Sequence, residues 1–176
     1  AASSVRGSTE AIGALQQSSV HYLQRPDAGY LKYDPAATSL EGQAGSLQLQ
    51  KVGGERVRFA FNGSFKTPGF DINDVGYVRR ADDIMQSGWV QIRWDTPSKA
   101  YRRLRVNLNQ WSGWNFGGDH RFAGSNVNAH IVLNSNWAAG AGFNLEASGI
   151  DDRSTRGGLQ RIHNPVSGWR ALRSLP

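Results

Sequence analysis

The stretch "ERVRFAFNGSFK", residues 55–66, alternates apolar and polar side chains at every second position. An extended strand points successive side chains to opposite faces, so a period of two gathers one kind of side chain on each face. The apolar set is Val57, Phe59, Phe61 and Phe65, and the polar set is Arg56, Arg58, Asn62, Ser64 and Lys66. The stretch therefore predicts a long β-strand with one apolar and one polar face.

The same period recurs along the rest of the chain. It is found in "DIMQSGWVQIRWD" (83–95), "RRLRVNLNQWSGWN" (102–115), "NVNAHIVLN" (126–134) and "WAAGAGFNLEAS" (137–148). Turn-forming residues separate these segments, as in "KVGGE" (51–55) and "DTPSKA" (95–100). The order strand, turn, strand indicates an antiparallel β-meander, and we predict six or seven strands within residues 38–176.

One short helix is predicted before the meander, over residues 7–18, with Ser8 as a candidate N-cap residue and Ile12 on the apolar side. Residues 19–37 contain two prolines and indicate an ordered loop. With 176 residues, the chain 1–176 suits a single unit. The predicted fold class is therefore all-β with one short helix.

The length of the predicted strands and the chemistry of their polar face point to a barrel. Several strands span roughly ten residues, near the 9–11 of a bilayer-crossing strand and above the usual five or six. The polar face carries Asn, Gln, Ser, Gly and Arg, which suits the wet interior of a barrel. No apolar run approaches the roughly 20 residues of a membrane helix. We therefore expect the meander to form part of a β-barrel, with the outer membrane as its setting.

Charge and composition narrow the classes of partner and site. The formal net charge of +6 permits a polyanionic partner without selecting one. The absence of cysteine excludes disulfides, thiolate catalysis and cysteine-ligated metals. The first residues, "AASSVRGS", show neither an initiating Met nor an apolar leader, and "RSLP" at the other end lacks a terminal aromatic strand. We therefore expect a fragment or subunit of a larger barrel.

Patterns of metal-binding residues are incomplete. The segment "DINDVG" (71–76) is similar to a calcium loop but has Val75 at a ligand position and no final bidentate Glu. The four histidines, His21, His120, His130 and His163, show no metal-ligand spacing. We expect no metal and no cofactor.

Catalytic and nucleic-acid-binding patterns are also incomplete. No nucleophile elbow occurs, and the acid pairs 82–83 and 151–152 would point to opposite faces of a strand. In "VRFAF", Phe59 and Phe61 lie opposite the neighbouring arginines, whereas an RNA-binding sheet carries both on one face. We expect no enzyme activity and disfavour nucleic acid as a partner.

Four segments carry a resemblance to a known family. They are "SSVHYLQRPDAGYLKYD" (18–34), "TSLEGQAGSLQLQKVGG" (38–54), "TPGFDINDVGYVRRADD" (67–83) and "WNFGGD" (114–119). In this order they resemble the C-terminal domain of unknown function in bacterial exported proteins that begin with a family-9-like carbohydrate-binding domain. The resemblance covers nearly the whole chain and implies an outer-membrane β-barrel without an established activity. The carbohydrate-binding portion of those proteins is not part of this sequence.

Three sets of residues are candidates for a role. The family-motif turn comprises Pro68, Gly69, Phe70, Asn73, Asp74 and Gly76, and we expect a structural connection in which Gly76 adopts a positive φ. The candidate lumen-facing basic residues are Arg56, Arg58, Arg103 and Arg105, which would favour anions in a pore. The candidate aromatic platform or interfacial girdle comprises Trp111, Trp114 and Phe116.

The leading hypothesis is a non-catalytic segment of an outer-membrane β-barrel that anchors a larger exported protein or forms a pore. Its partners would be membrane lipid and the remaining strands of the parent barrel or of partner chains. Two alternatives stay open. One is a soluble all-β module that binds a glycan through stacked aromatic side chains, and the other is a structural scaffold subunit of a larger complex.

Overall fold

The computed structural model describes residues 1–54, 56–154, 158–162 and 166–174. This part of the chain forms ten strands and one helix. In chain order they are β1 (Ala2–Arg6), α1 (Thr9–Gln17), β2 (Ser39–Lys51), β3 (Val57–Lys66), β4 (Asp83–Trp94), β5 (Tyr101–Trp114), β6 (His120–Leu133), β7 (Trp137–Ala147), β8 (Gly149–Asp151), β9 (Gln160–Ile162) and β10 (Ser167–Ser174).

Eight strands form one antiparallel sheet in the order β1-β2-β3-β4-β5-β6-β7-β10. Sequence neighbours pair from β1 to β7, and β10 adds to the far side of β7. Strands β8 and β9 form a separate two-stranded antiparallel sheet. The predicted all-β antiparallel architecture with one short helix is confirmed. Within the described ranges the sheet ends at β1 and β10 and is not closed into a barrel.

The central strands are long, with 10 to 14 residues each from β2 to β7. Their length agrees with the alternation in the sequence. The main sheet holds more strands than the six or seven predicted. One of the extra strands is β1, which lies before residue 38 and was not predicted, because "ASSVR" is too short and too polar to display an alternation.

Helix α1 begins after Ser8, whose hydroxyl accepts a hydrogen bond from the backbone N–H of Ala11 at 3.3 Å. Its buried side includes Ile12 and Gln16. The Gln16 side chain donates to the Asp34 carbonyl at 2.9 Å and accepts from the Asp34 N–H at 2.8 Å. These two bonds fasten the following loop to the helix. No helix in the described ranges is long and apolar enough to cross a membrane.

The buried apolar core is small and lies at one end of the sheet. We call this the capped end; β2, β4 and β6 begin there, and β3, β5 and β7 end there. Its central cluster is formed by α1, the loop after it and the start of β2, and consists of Ile12, Leu23, Ala28, Leu31 and Leu40. We call the opposite end of the sheet the open end. Most apolar side chains of the long strands lie outside this core.

Candidate functional site

The long strands give the sheet two chemically different faces. On one, the register aligns Phe59, Val90, Leu108, Val127 and Phe143 across five strands. We call this the apolar face; it remains uncovered in the described part of the chain. Side chains on it that are exposed by 39% to 76% include Leu47, Leu49, Val57, Phe61, Phe65 and Leu145. The alternation predicted from residues 55–66 is therefore present, but the apolar side is not buried beneath another layer.

Polar residues bound the apolar face. Near the capped end, Gln86 donates to Gln110 Oε1 at 2.8 Å and to Ser112 Oγ at 2.6 Å. Toward the two sides of the sheet, Lys51 on β2 and Arg170 on β10 share this face, according to their pairing with Phe59 and Ala141. The apolar side chains therefore form a band with polar limits.

The opposite face, the polar face, carries a hydrogen-bonded row of amides. Asn107 accepts from Gln91 at 2.9 Å and donates to Asn128 at 2.7 Å. Asn109 donates to Asn126 at 3.1 Å, which in turn donates to Asn144. Asn144 donates to Ser167 on β10 at 3.0 Å. This row crosses from β4 to β10, so much of the hydrogen-bonding capacity of these amides is used within the sheet.

Aromatic rings on both faces cover glycines in the paired strand. The directly paired residues are Phe65 and Gly45, Phe61 and Gly88, Phe122 and Gly113, Trp111 and Gly124, and Trp169 and Gly142. A methyl group added at Gly124 would lie 2.4 Å from Trp111 Cζ2. In these pairs the ring occupies the space that a side chain would fill, which fixes the register between the strands.

The capped end contains a network of buried ion pairs. Asp152, with 1% of its side chain exposed, accepts from Arg25 at 3.1 Å, from Arg80 at 2.6 Å and from Asn115 at 3.3 Å. Burial alone would raise the pKa of the Asp152 carboxyl, but the bond and charge of Arg80, with Asn115 and Arg25, hold that pKa below its usual range. Lys66 and Arg121 likewise hold the pKa of the buried Asp83 carboxyl below its usual range.

A partly buried side chain at this end, Arg153, joins separate loops. It donates to the carbonyls of Ser19, Val20 and Ala81 at 2.6, 2.8 and 2.9 Å. Burial, together with the charge of Arg80, lowers its pKa to about 10. The arginine remains charged at neutral pH and connects the loop after α1 to the segment before β4.

The family-motif turn packs backbone against backbone. A methyl group added at Gly69 would lie 2.2 Å from the Glu41 carbonyl oxygen, and one at Gly42 would lie 2.1 Å from the Phe70 amide nitrogen. The Pro68 carbonyl faces His21 Nδ1 at 2.8 Å. The turn therefore fits closely against the start of β2, as expected for a structural connection.

The rest of this turn is held by side-chain bonds to the backbone. Asp71 accepts from the Asn73 N–H at 2.7 Å, and Asn73 accepts from the Val78 N–H at 2.8 Å, while Asp74 is exposed. Gly76 does not adopt a positive φ, contrary to our expectation. An added methyl group at Gly76 would lie 2.9 Å from Ile72 Cδ1, the end of a flexible side chain that can move aside.

The predicted basic residues separate into two groups. Arg58, Arg103 and Arg105 lie on the polar face near the open end. Arg56 precedes β3 and stacks over the Trp94 ring at 5.4 Å. The structure adds Arg93, which is paired directly with Arg105. The alternation of residues 83–95 predicts that Arg93 lies on this face. The sequence did not predict that Arg93 and Arg105 would be direct neighbours.

The predicted aromatic residues do not share one surface. Trp111 pairs with Ser87 on the polar face, whereas Trp114 pairs with Ile84 on the apolar face. Phe116 lies in the turn after β5, where its N–H donates to the buried Asp82 at 2.9 Å. Trp111 and Trp114 cannot therefore stack on one face of a ligand, and an interfacial position for Trp114 stays a prediction.

A family model described as a domain of unknown function, DUF5916, matches residues 9–155. The chain belongs to the DUF5916 family. The match begins at α1 and ends just after the buried Asp152, so it includes the capped end and the long strands β2 to β7 of this DUF5916 domain. No match was found among curated proteins or among solved structures.

Proposed function

We propose that this DUF5916 domain is a non-catalytic segment of an outer-membrane β-barrel, with its apolar face toward lipid and its polar face toward water. The observation that carries the proposal is the uncovered apolar band across β2 to β7. Monomeric soluble proteins rarely leave so large an apolar surface in contact with water. Long strands, an apolar outer side and a polar inner side are the properties of a membrane barrel wall.

The positions of the tryptophans support this orientation. Trp94 and Trp137 lie on the apolar face at the open end, and Trp114 lies on it at the capped end. Trp94 is ten residues along β4 from Ile84, the partner of Trp114. At about 3.3 Å per residue this is roughly 33 Å along the strand. With a strand tilt of about 40°, the height becomes roughly 25 Å, which matches the lipid-facing band of such barrels.

An open sheet cannot remain in a bilayer, because its edge N–H and C=O groups would have no partners in hydrocarbon. The proposal therefore requires further strands, from the rest of a longer protein or from partner chains. These further strands would pair with β1 and β10, the outer strands of the sheet. The role of the domain would be to anchor that assembly or to form part of a pore.

The six tryptophans allow a matched test. Trp94, Trp114 and Trp137 lie on the apolar face, whereas Trp89, Trp111 and Trp169 lie on the polar face. Two variants would each keep one set of three and carry Phe at the other three positions. Each would be refolded with vesicles of phosphatidylcholine brominated on its acyl chains, and circular dichroism would verify the β content.

We expect strong quenching of tryptophan fluorescence in the variant that keeps the apolar-face set and weak quenching in the other. Because both variants carry three tryptophans, the quenching of one can be compared directly with the quenching of the other. Equal quenching of the two sets in vesicle-associated protein would contradict the proposal.

The capped end favours a second candidate, a water-soluble all-β domain. Its buried ion pairs and its apolar cluster form a compact folded unit, as in soluble proteins. In that case another part of the protein or assembly would cover the apolar face. The same experiment separates the candidates, because a soluble domain would show quenching of neither tryptophan set.

A further inference from the structure

The polar face carries a concentration of arginines near the open end. Arg93 and Arg105 are direct partners on β4 and β5, so their side chains lie side by side. Arg58 lies on β3 opposite Gln91, and Arg103 lies two residues before Arg105 on β5. We call Arg58, Arg93, Arg103 and Arg105 the arginine cluster. Like charges directly opposite each other in a sheet are destabilising, so this arrangement opposes folding.

The described residues supply the cluster with only one acidic partner. Asp95 forms an ion pair with Arg93 and accepts from Arg105 Nη2 at 3.5 Å. The pKa of the Arg93 guanidinium is lowered by loss of water and by the charges of Arg58, Arg105 and Arg103. Four cationic side chains therefore face one carboxylate, and the excess positive charge is not neutralised.

Two donors of the cluster are also unpaired. The Nε–H groups of Arg58 and Arg93 are buried and have no hydrogen-bond acceptor, whereas Arg105 Nε lies 3.5 Å from Asp95 Oδ1. Unpaired buried donors destabilise a protein, which adds to the cost of the repulsion between the arginines. A hollow of about 500 Å³ opens beside three of the four arginines and is lined by Arg93, Asp95, Arg102, Arg103, Arg105 and Val132.

We propose that the arginine cluster binds a phosphate or sulfate group in this hollow. A doubly charged oxyanion would offset the excess charge and would accept from the guanidinium groups that line the hollow, because the planar guanidinium matches the spacing of its oxygens. A monocarboxylate brings only one negative charge and fewer acceptor oxygens. The group could belong to a soluble phosphorylated compound or to a lipid headgroup. The site goes beyond the proposed function, since it exists whichever environment covers the apolar face.

The test is calorimetric titration of the folded chain with inorganic phosphate at low ionic strength. Arg93→Gln and Arg105→Gln each remove one charge from the cluster. Arg79→Gln is the matched control, because Arg79 is exposed in the loop between β3 and β4, away from the hollow. We expect each cluster variant to bind phosphate about tenfold more weakly or worse, as for loss of a charge-assisted hydrogen bond. The control should bind as the parent chain does.

A second readout verifies that the cluster variants fold and separates binding from a structural role. Because Arg93 opposes Arg105, Arg93→Gln should be at least as stable as the parent chain without phosphate. Phosphate should raise the melting temperature of the parent but not that of Arg93→Gln. A purely structural role for Arg93 predicts the reverse, with a destabilised variant that still responds to phosphate.

The source of the group is distinguished by titration with dihexanoyl phosphatidic acid. Similar affinity for this compound and for inorganic phosphate indicates a soluble ligand. Binding of the lipid alone, lost in Arg93→Gln, indicates a headgroup. Both results support the oxyanion site. The absence of saturable binding of either compound, or equal weakening in Arg79→Gln, would overturn it.

Discussion

Asp152 connects segments that are far apart in the sequence. It joins Arg25 in the loop after α1 to Arg80 in the segment before β4, and its side chain is 1% exposed. Removal of one member of a buried ion pair leaves the other member charged and without a partner. The capped end thus depends on a carboxylate that no local sequence pattern identifies.

We predict that Asp152→Asn destabilises the folded chain by about 3 kcal/mol, because Arg80 would lose its carboxylate partner and Arg25 would keep only Asp27, at 2.8 Å. Urea unfolding followed by circular dichroism measures the change. Asp74→Asn is the control, since Asp74 is exposed, and it should change the stability by less than about 0.5 kcal/mol. Equal effects of the two substitutions would contradict the role assigned to Asp152.

The stability of the capped end should also depend on pH. The pKa values of Asp71, Asp83 and Asp152 in the folded chain lie below their usual value of 3.8, despite burial, because hydrogen bonds and nearby charges favour the carboxylates. A lowered folded pKa contributes stability above the unfolded pKa, and that contribution is lost as the pH falls through the folded pKa.

We therefore expect the free energy of unfolding to decrease as the pH drops below about 4. Measurement of urea midpoints from neutral pH into this range tests the expectation. Asp152→Asn should lose less stability over the same interval, because one of the three carboxylates no longer titrates. A parent chain that gains stability in acid would refute this account.

The strands show what a sequence pattern can and cannot predict. Alternation identified β3 to β7, because each has enough residues for a period of two to be visible. It also placed Arg58 and Arg105 on one face. It missed β1, and it could not reveal that Arg93 and Arg105 are neighbours, because pairing depends on register between strands. The ion pair of Arg25 and Asp152, 127 residues apart, is likewise set by tertiary structure alone.

The aromatic–glycine pairs provide a prediction about register. Gly124→Ala should destabilise the sheet by about 1–3 kcal/mol, because the added methyl group would overlap the Trp111 ring. Gly63→Ala is the matched control, since an added methyl group there meets no atom within 4 Å. The control should gain about 0.5–1 kcal/mol, as expected for removal of a strand glycine.

Urea unfolding of both variants measures the difference. A neutral Gly124→Ala, or an equal loss of stability in Gly124→Ala and Gly63→Ala, would indicate that the rings do not fix the register. The five pairs lie on both faces of the sheet. They would therefore hold the strands in place irrespective of whether lipid or protein covers the apolar side.

The whole molecule combines a folded, ion-paired end with a long sheet whose apolar side is uncovered. In a compact soluble domain the apolar residues of the sheet would form the core. Here the central core cluster is confined to the capped end. The unusual distribution of apolar surface is thus a property of the whole molecule, and it requires a covering environment, which we propose to be lipid.

The proposal that lipid covers the apolar face can be tested at Leu49 and Gln48. They are neighbours on β2, they point to opposite faces, and both are exposed. Leu49→Lys therefore creates no steric clash, and neither does Gln48→Lys. In water the two substitutions should be tolerated equally. In a bilayer, Leu49→Lys should reduce the stability of the inserted sheet by up to about 2–4 kcal/mol, since a lysine would face hydrocarbon, whereas Gln48→Lys would face water. Urea-dependent folding into phosphatidylcholine vesicles, together with the chains that supply the remaining strands, gives both values, and equal values there would exclude lipid as the environment of the apolar face.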